Sequence, residues 1–115
     1  MLNDWSNTLT NLRKGAARLL EGNPKVFAAY KGLNEAVAGS SVLDAKTREL
    51  ISMAVAVTTR CDGCISSHID AAIKAGATKQ EISEALGTAI ALNAGAAFVY
   101  SVRALEAYDQ MSAKA

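Results

Sequence analysis

Apolar residues recur at three- and four-residue intervals along this chain, and no segment alternates apolar with polar. Leu9, Leu12, Ala16, Leu19 and Leu20 fall at helical spacing, as do Val26, Tyr30, Leu33 and Val37. β-branched residues are scattered within these patterns, so no strand competes. The fold class is therefore all-α. Helix ends are marked by local chemistry. The first helix covers about 3–21, ending at Glu21-Gly22-Asn23-Pro24. Asn23 is placed to cap the next helix, with Pro24 at its first position. Gly39-Ser40-Ser41 closes that helix, and Asp44 caps a third running to about Thr59. Leu50 to Val57 is apolar except at Ser52, so the third helix is expected to be central and buried. A tight break at Arg60 to Gly63 leads into a fourth helix, over about 62–75, with Gly76 as its stop. Thr78 and Glu81 form a capping box for a fifth helix to about Leu92. Asn93-Ala94-Gly95 is either a break or a close-packing kink before the last helix, to about Gln110. Met111 to Ala115 is expected to fray.

Six helices in 115 residues make one domain, 1–115. The 23 alanines contribute little apolar area each but let helices approach closely, and packing is expected to be completed by further copies of the chain. Lys plus Arg is 12 and Asp plus Glu is 11, so there is no basic surplus for nucleic acid. Ala85 to Val102 is uncharged, but Thr88, Asn93, Ser101 and its many alanines favour a protein core or subunit interface over a membrane. No secretory signal is visible at Met1 to Trp5, so a cytoplasmic, reducing location is expected. In such a compartment a close cysteine pair is more often catalytic or metal-binding than structural.

The only two cysteines and the only histidine lie together, in Cys61-Asp62-Gly63-Cys64-Ile65-Ser66-Ser67-His68. If a helix starts near Cys61, then Cys61, Cys64 and His68 share one stripe, and Cys64 and His68 are one turn apart. The two cysteine Cα atoms are then about 5 Å apart, within disulfide range. Free amides at a helix start favour a thiolate, a nearby histidine can take its proton, and a second thiol can resolve a sulfenic acid. Two other readings stand beside this one. The cysteines can fill the core with Ile65 and Ala72, His68 being a core histidine. Alternatively Cys61, Cys64, His68 and a carboxylate can bind Zn²⁺.

Glu49 is the best-placed carboxylate. With the reversal near residue 61, its axial offset from His68 is about 5 residues, or roughly 7–8 Å, a gap for two long side chains and a water. Equally, Glu49 can serve the helix dipole and pair with Lys46 or Arg48. Leu50, Val57, Phe27 and Phe98 are either an apolar pocket wall or plain core.

Leu43-Asp44-Ala45-Lys46-Thr47-Arg48-Glu49-Leu50-Ile51, the Cys61-Asp62-Gly63-Cys64 motif with His68, and Ala75-Gly76-Ala77-Thr78 with Glu81-Ile82 and Glu84-Ala85-Leu86 resemble the AhpD-like alkylhydroperoxidase core. That group belongs to the carboxymuconolactone decarboxylase superfamily. The resemblance covers about residues 24–108, and its spacing E-x11-C-x-x-C-x-x-x-H is far more specific than C-x-x-C alone. It implies an AhpD-like helical domain forming a homo-oligomer, a trimer or hexamer. It implies reduction of a small hydroperoxide by Cys64 as peroxidatic thiol and Cys61 as resolving thiol, with His68 and Glu49 as a proton relay. No cofactor or metal is implied, and a lipoyl or thioredoxin-like dithiol partner would re-reduce the pair. Gly63 stands where the best-characterised type carries a further histidine, which shortens the relay and implies slower turnover. Glycine there would also free the turn to adjust between dithiol and disulfide. A disulfide exchanger or redox sensor uses the same cysteines. Decarboxylase members generally lack the pair, so its presence argues against decarboxylation.

Overall fold

The computed structural model describes residues 1–39 and 42–113, and among them every regular element is helical. In order these are α1 (Trp5–Gly22), α2 (Pro24–Ala38), α3 (Ala45–Thr58), α4 (Asp62–Lys74), α5 (Lys79–Asn93) and α6 (Gly95–Ser112). Ser40, Ser41, Lys114 and Ala115, which the sequence assigns to a helix end and a frayed tail, lie outside the described residues.

The caps explain most of the boundaries. Asp44 accepts the amide of Thr47, and Thr78 and Glu81 form the reciprocal box. Gly76 ends α4 at φ +88°. Its amide bonds to Ile73 O while that of Ala77 reaches Ala72 O, a Schellman closure. The same closure ends α3, with Arg60 N bonded to Val57 O and Cys61 N to Ala56 O. There the left-handed position is held by Arg60, at φ 57°, a conformation that costs a side-chain-bearing residue about 1–2 kcal/mol. Asn23 does not cap α2 with its side chain. Its amide closes α1 on Leu19 O, and Pro24 at the next position has no N–H to satisfy.

The core is built by α3, α4, α5 and α6, with α1 laid across α4 and α6. Ile65, Ile69 and Ala72 of α4, Met53, Ala56 and Val57 of α3, and Ile82, Leu86 and Ala89 of α5 form one buried cluster. On α6 the buried stripe is Ala97, Ser101, Ala104, Ala107 and Met111, so four small side chains let that helix lie close to its neighbours. Met111 belongs to this core, and α6 runs one residue beyond it; fraying does not begin at 111 as the sequence suggests. Nor is α3 buried all round: Ile51 and Val55 face outward, each about half exposed. The uncharged stretch is divided at Ala94, φ 56° and ψ −131°, into two helices. No helix of the described residues is long and apolar enough to cross a membrane.

Two features lie beyond the periodic pattern. Trp5 is fully buried, and the N-terminal arm is tied to α6 through two side chains. Glu106 accepts from Leu2 N, Asn3 N and the Trp5 indole at 2.6, 2.8 and 2.9 Å. Gln110 accepts from Trp5 N and donates to Asn3 O. In contrast, α2 has no buried residue and packs chiefly on α1. Its Val26, Tyr30, Leu33 and Val37 are all exposed.

Candidate active site at the start of the fourth helix

The α3–α4 turn places Cys61 at the N-cap of α4 in extended backbone, with Asp62, Gly63 and Cys64 as its first turn. The sulfur of Cys61 occupies the position of a capping oxygen and accepts the amide of Cys64 at 3.2 Å. Cys61 and Cys64 are joined as a disulfide with their Cα atoms 5.2 Å apart, close to the spacing expected from the sequence. With the disulfide formed Gly63 is helical, and among the described residues Gly76 is the glycine with positive φ. Space limits the Gly63 position, because a Cβ there would lie 3.3 Å from Leu12 Cδ2 of α1.

One turn beyond Cys64, His68 lines the same cavity, a hollow of about 260 Å³ walled by Ile51, Ser52, Val55, Ala56 and Thr59 of the α3 side. The apolar wall is thus supplied by Ile51 and Val55. Of the four residues proposed from sequence, Val57 is in the core, Leu50 packs against it, Phe27 lines a groove between α1 and α2, and Phe98 is exposed.

His68 Nδ1 meets Glu49 Oε2 directly at 2.7 Å. The gap estimated for a bridging water is closed because the Schellman turn centres the reversal on Arg60. That shortens the axial offset to about three residues, roughly 4–5 Å, which two side chains span. Both side chains are about one-quarter to one-third exposed. An ionised carboxylate only accepts, so in this contact Nδ1 is the donor, and Nε2 is the ring nitrogen that Glu49 does not engage. Lys46 does not pair with Glu49. It reaches Glu81 at 2.8 Å, which raises the lysine pKa and lowers that of the glutamate. Arg48 donates to Leu43 O. Behind the His68–Glu49 pair lies a second cavity of about 510 Å³, where Tyr30, Asn34 and Val37 of α2 face Arg48, Glu49 and His68. His68 therefore forms a wall between two hollows.

Joined to each other, the two cysteines are not arranged as zinc ligands. Glu49 holds His68, and among the described residues no three His, Cys, Asp or Glu side chains are grouped to hold a metal ion. The core-packing reading fits in part: Cys64 touches the buried cluster, yet both cysteines are only half-buried.

Sequence reasoning did not find the ion pair at the motif itself. Arg103 of α6 donates Nε to Asp62 Oδ1 at 3.0 Å and Nη2 to Oδ2 at 2.5 Å. The available signals were an aspartate between the two cysteines and an arginine ending an otherwise uncharged run.

The fold and site define a small all-α protein with a C-x-x-C pair at a helix start, a histidine one turn further along the same helix, and a carboxylate from the preceding helix that holds the histidine. The chain belongs to the carboxymuconolactone decarboxylase family, whose profile matches residues 24–107. It is 54% identical over 113 residues to an uncharacterised protein of Haemophilus influenzae, covering 98% of this chain and 100% of the relative. A protein of the cox locus of Paracoccus denitrificans is 37% identical over 83 residues, covering 72% of this chain and 75% of its own. Among solved structures, an apo carboxymuconolactone decarboxylase family protein of Legionella pneumophila superposes with a TM-score of 0.90 at 33% identity, over 94% of this chain and 96% of the other. A Thermotoga maritima family member superposes with a TM-score of 0.81 at 25% identity, over 91% and 90%. Its description links it, as a possibility, to the antioxidative response.

Proposed function

We propose that this chain is a thiol-dependent peroxidase of AhpD type, reducing small hydroperoxides through a Cys61–Cys64 dithiol/disulfide cycle. The observation that carries the reading is the shared cavity: Cys64 and His68 line one hollow, and His68 is held from behind by Glu49 at 2.7 Å. The antioxidative association of the Thermotoga maritima relative supports it. The cysteine pair favours redox chemistry over the decarboxylation in the family's name.

In the reduced protein, His68 Nε2 takes the proton of Cys64. The Nδ1–H bond to Glu49 stabilises the imidazolium that results. The Cys64 thiolate attacks the outer oxygen of the hydroperoxide. An S–O bond forms, the O–O bond breaks, and the departing alkoxide takes the proton from His68 to leave as an alcohol. Cys64 is now a sulfenic acid. The Cys61 sulfur attacks it, the S–S bond forms, and the hydroxyl leaves with the Cys61 proton as water. An external dithiol, lipoyl or thioredoxin-like, then exchanges through a mixed disulfide and is itself oxidised to its disulfide. This cycle suits a reducing compartment such as the cytoplasm.

Stopped-flow consumption of cumene hydroperoxide by the pre-reduced protein tests the reading. The expected result is loss of two thiols per peroxide. Cys64→Ser abolishes the reaction, whereas Cys61→Ser permits one turnover and leaves a sulfenic acid that dimedone traps. Glu49→Gln slows the first step by roughly 10–100-fold, the scale of general-base assistance. No peroxide loss, with both thiols still titratable, would overturn the reading in favour of disulfide exchange.

A further inference from the structure

Asp62 sits between the two cysteines as the first residue of α4. Its charge suits the helix dipole but opposes a thiolate on either neighbouring sulfur. Arg103 meets this carboxylate with a two-pronged fork, the geometry in which an arginine–carboxylate pair is strongest. The guanidinium is itself held in place. Its Cζ lies 5.2 Å from the ring centre of fully buried Trp5 and 5.4 Å from that of Tyr100. Only 20% of the Arg103 side chain is exposed, against 40% of Asp62. The Asp62 hydrogen bonds raise the Arg103 pKa against the opposing effect of burial, so this group stays charged. Glu106, bonded to the Trp5 indole, is the second carboxylate whose charge reaches Arg103. The redox motif is thereby linked through Arg103 and Trp5 to the N-terminal arm, which lies outside the matched family region.

We propose that Arg103 is a positioning residue for the redox pair. By neutralising Asp62 through a fixed fork, it keeps that carboxylate from suppressing the reactive thiolate and fixes the first turn of α4. The proposal rests on the reading of Cys61 and Cys64 as the reacting thiols. It concerns their reactivity in general, whatever the oxidant.

The test is alkylation of the reduced full-length protein by iodoacetamide at pH 7, with each cysteine followed by peptide mass. The thiolate sulfur forms a bond to carbon, the carbon–iodine bond breaks, and iodide leaves. Arg103→Gln is expected to slow the faster thiol about fivefold, the effect of an uncompensated unit charge several ångströms away. The double variant Asp62→Asn with Arg103→Gln is expected to return to within about twofold of the parent. The Arg103→Gln deficit should also shrink in 1 M salt. His68, Glu49, Arg60, Tyr100 and Glu106 are present in every variant, so their charges cancel in the comparison. An unchanged rate in Arg103→Gln, or a double variant as slow as the single, would overturn the proposal, since a contact acting by packing alone gives no rescue. If Arg103→Gln does not fold, Asp62→Asn alone decides. It should react at least about twofold faster than the parent, and an equal or slower rate overturns the inference. Alkylation needs no peroxide, so failure of the peroxidase reading and failure of this one are separate results.

Discussion

At the scale of single residues, the turn into the C-x-x-C motif is built on an unfavourable backbone choice. Arg60 takes the left-handed position of a Schellman closure that Gly76 takes at the end of the next helix. Arg60→Gly is expected to stabilise the fold by about 0.5–1 kcal/mol, the left-handed penalty less the extra chain entropy of glycine. Urea unfolding checks this, and a lower midpoint would show that the Arg60 side chain contributes more than its backbone costs. Ser101 is the other local anomaly: its hydroxyl is buried on α6 and has no hydrogen-bond partner among the described residues. Ser101→Ala should be neutral or stabilising by up to about 1 kcal/mol, because it removes an unsatisfied group with little change of shape. Residue chemistry was also the most legible part of the sequence. Asp44, Thr78, Glu81 and Gly76 act through neighbours within a few positions, so their roles follow from local spacing. Asn23 misled because its amide already closes α1. The Glu49–His68 contact was underestimated because the reversal centres on Arg60, which nothing in its side chain announces. The Arg103–Asp62 fork spans 41 positions, and no local rule reaches that far.

Between elements, two contacts decide how α1 and the N-terminal arm bear on the site. Gly63 is the close approach of α4 to α1, and the obstacle there is the tip of the Leu12 side chain, itself about half exposed. Gly63→Ala should therefore cost little. Gly63→His, the residue that the AhpD resemblance implies for this position, is expected to cost about 1–3 kcal/mol by overpacking. Adding Leu12→Ala should recover part of that loss, measured as a coupling of at least about 0.5 kcal/mol in a double-mutant cycle. Strict additivity would mean that the histidine finds another way out. The second contact is Glu106 with the N-terminal arm. Burial works against its ionisation, but the amides of Leu2 and Asn3, the Trp5 indole and the N-terminal charge outweigh it and hold its pKa below the ordinary glutamate value. A carboxyl depressed by folding stabilises the fold above its unfolded pKa of about 4.3, and that contribution disappears as pH falls through the folded value. Glu106→Gln should lower the urea midpoint at pH 7, and the gap from the parent should close in acid below the folded value. A gap that persists unchanged at low pH would assign the effect to shape and not to charge.

For the whole molecule, the apolar periodicity of α2 shows how far a sequence pattern can be read. Val26, Tyr30, Leu33 and Val37 mark a face, but periodicity does not say what covers it, and within one chain they are left exposed. The accessible surface is 7056 Å², whereas a folded monomer of 12.0 kDa is expected to have roughly 6,000 Å². The excess of about 1,000 Å² slightly exceeds the roughly 800 Å² that each partner contributes to a standard interface. Exposed apolar patches of this kind are found where protein meets protein, and a second copy of the same chain is the partner always present at matching concentration. Self-association is therefore expected, with a solution mass of three or six chains by the family resemblance. Light scattering on a sizing column at tens of micromolar measures it. Leu33→Glu with Val37→Glu places two like charges on the exposed face. Because α2 contributes nothing to the buried cluster, the helical circular dichroism should be preserved while the mass falls towards that of one chain. The second cavity behind His68 adds a functional consequence, since Tyr30, Asn34 and Val37 of α2 form one of its walls. If assembly holds α2 against α3 and α4, the dissociated variant should also lose peroxide turnover by severalfold, although it retains Cys61, Cys64, His68 and Glu49. A parent protein that runs as a single chain, or a charged variant that keeps its assembly, would place the interface elsewhere, the exposed Phe98, Val99 and Val102 of α6 being the next surface to charge.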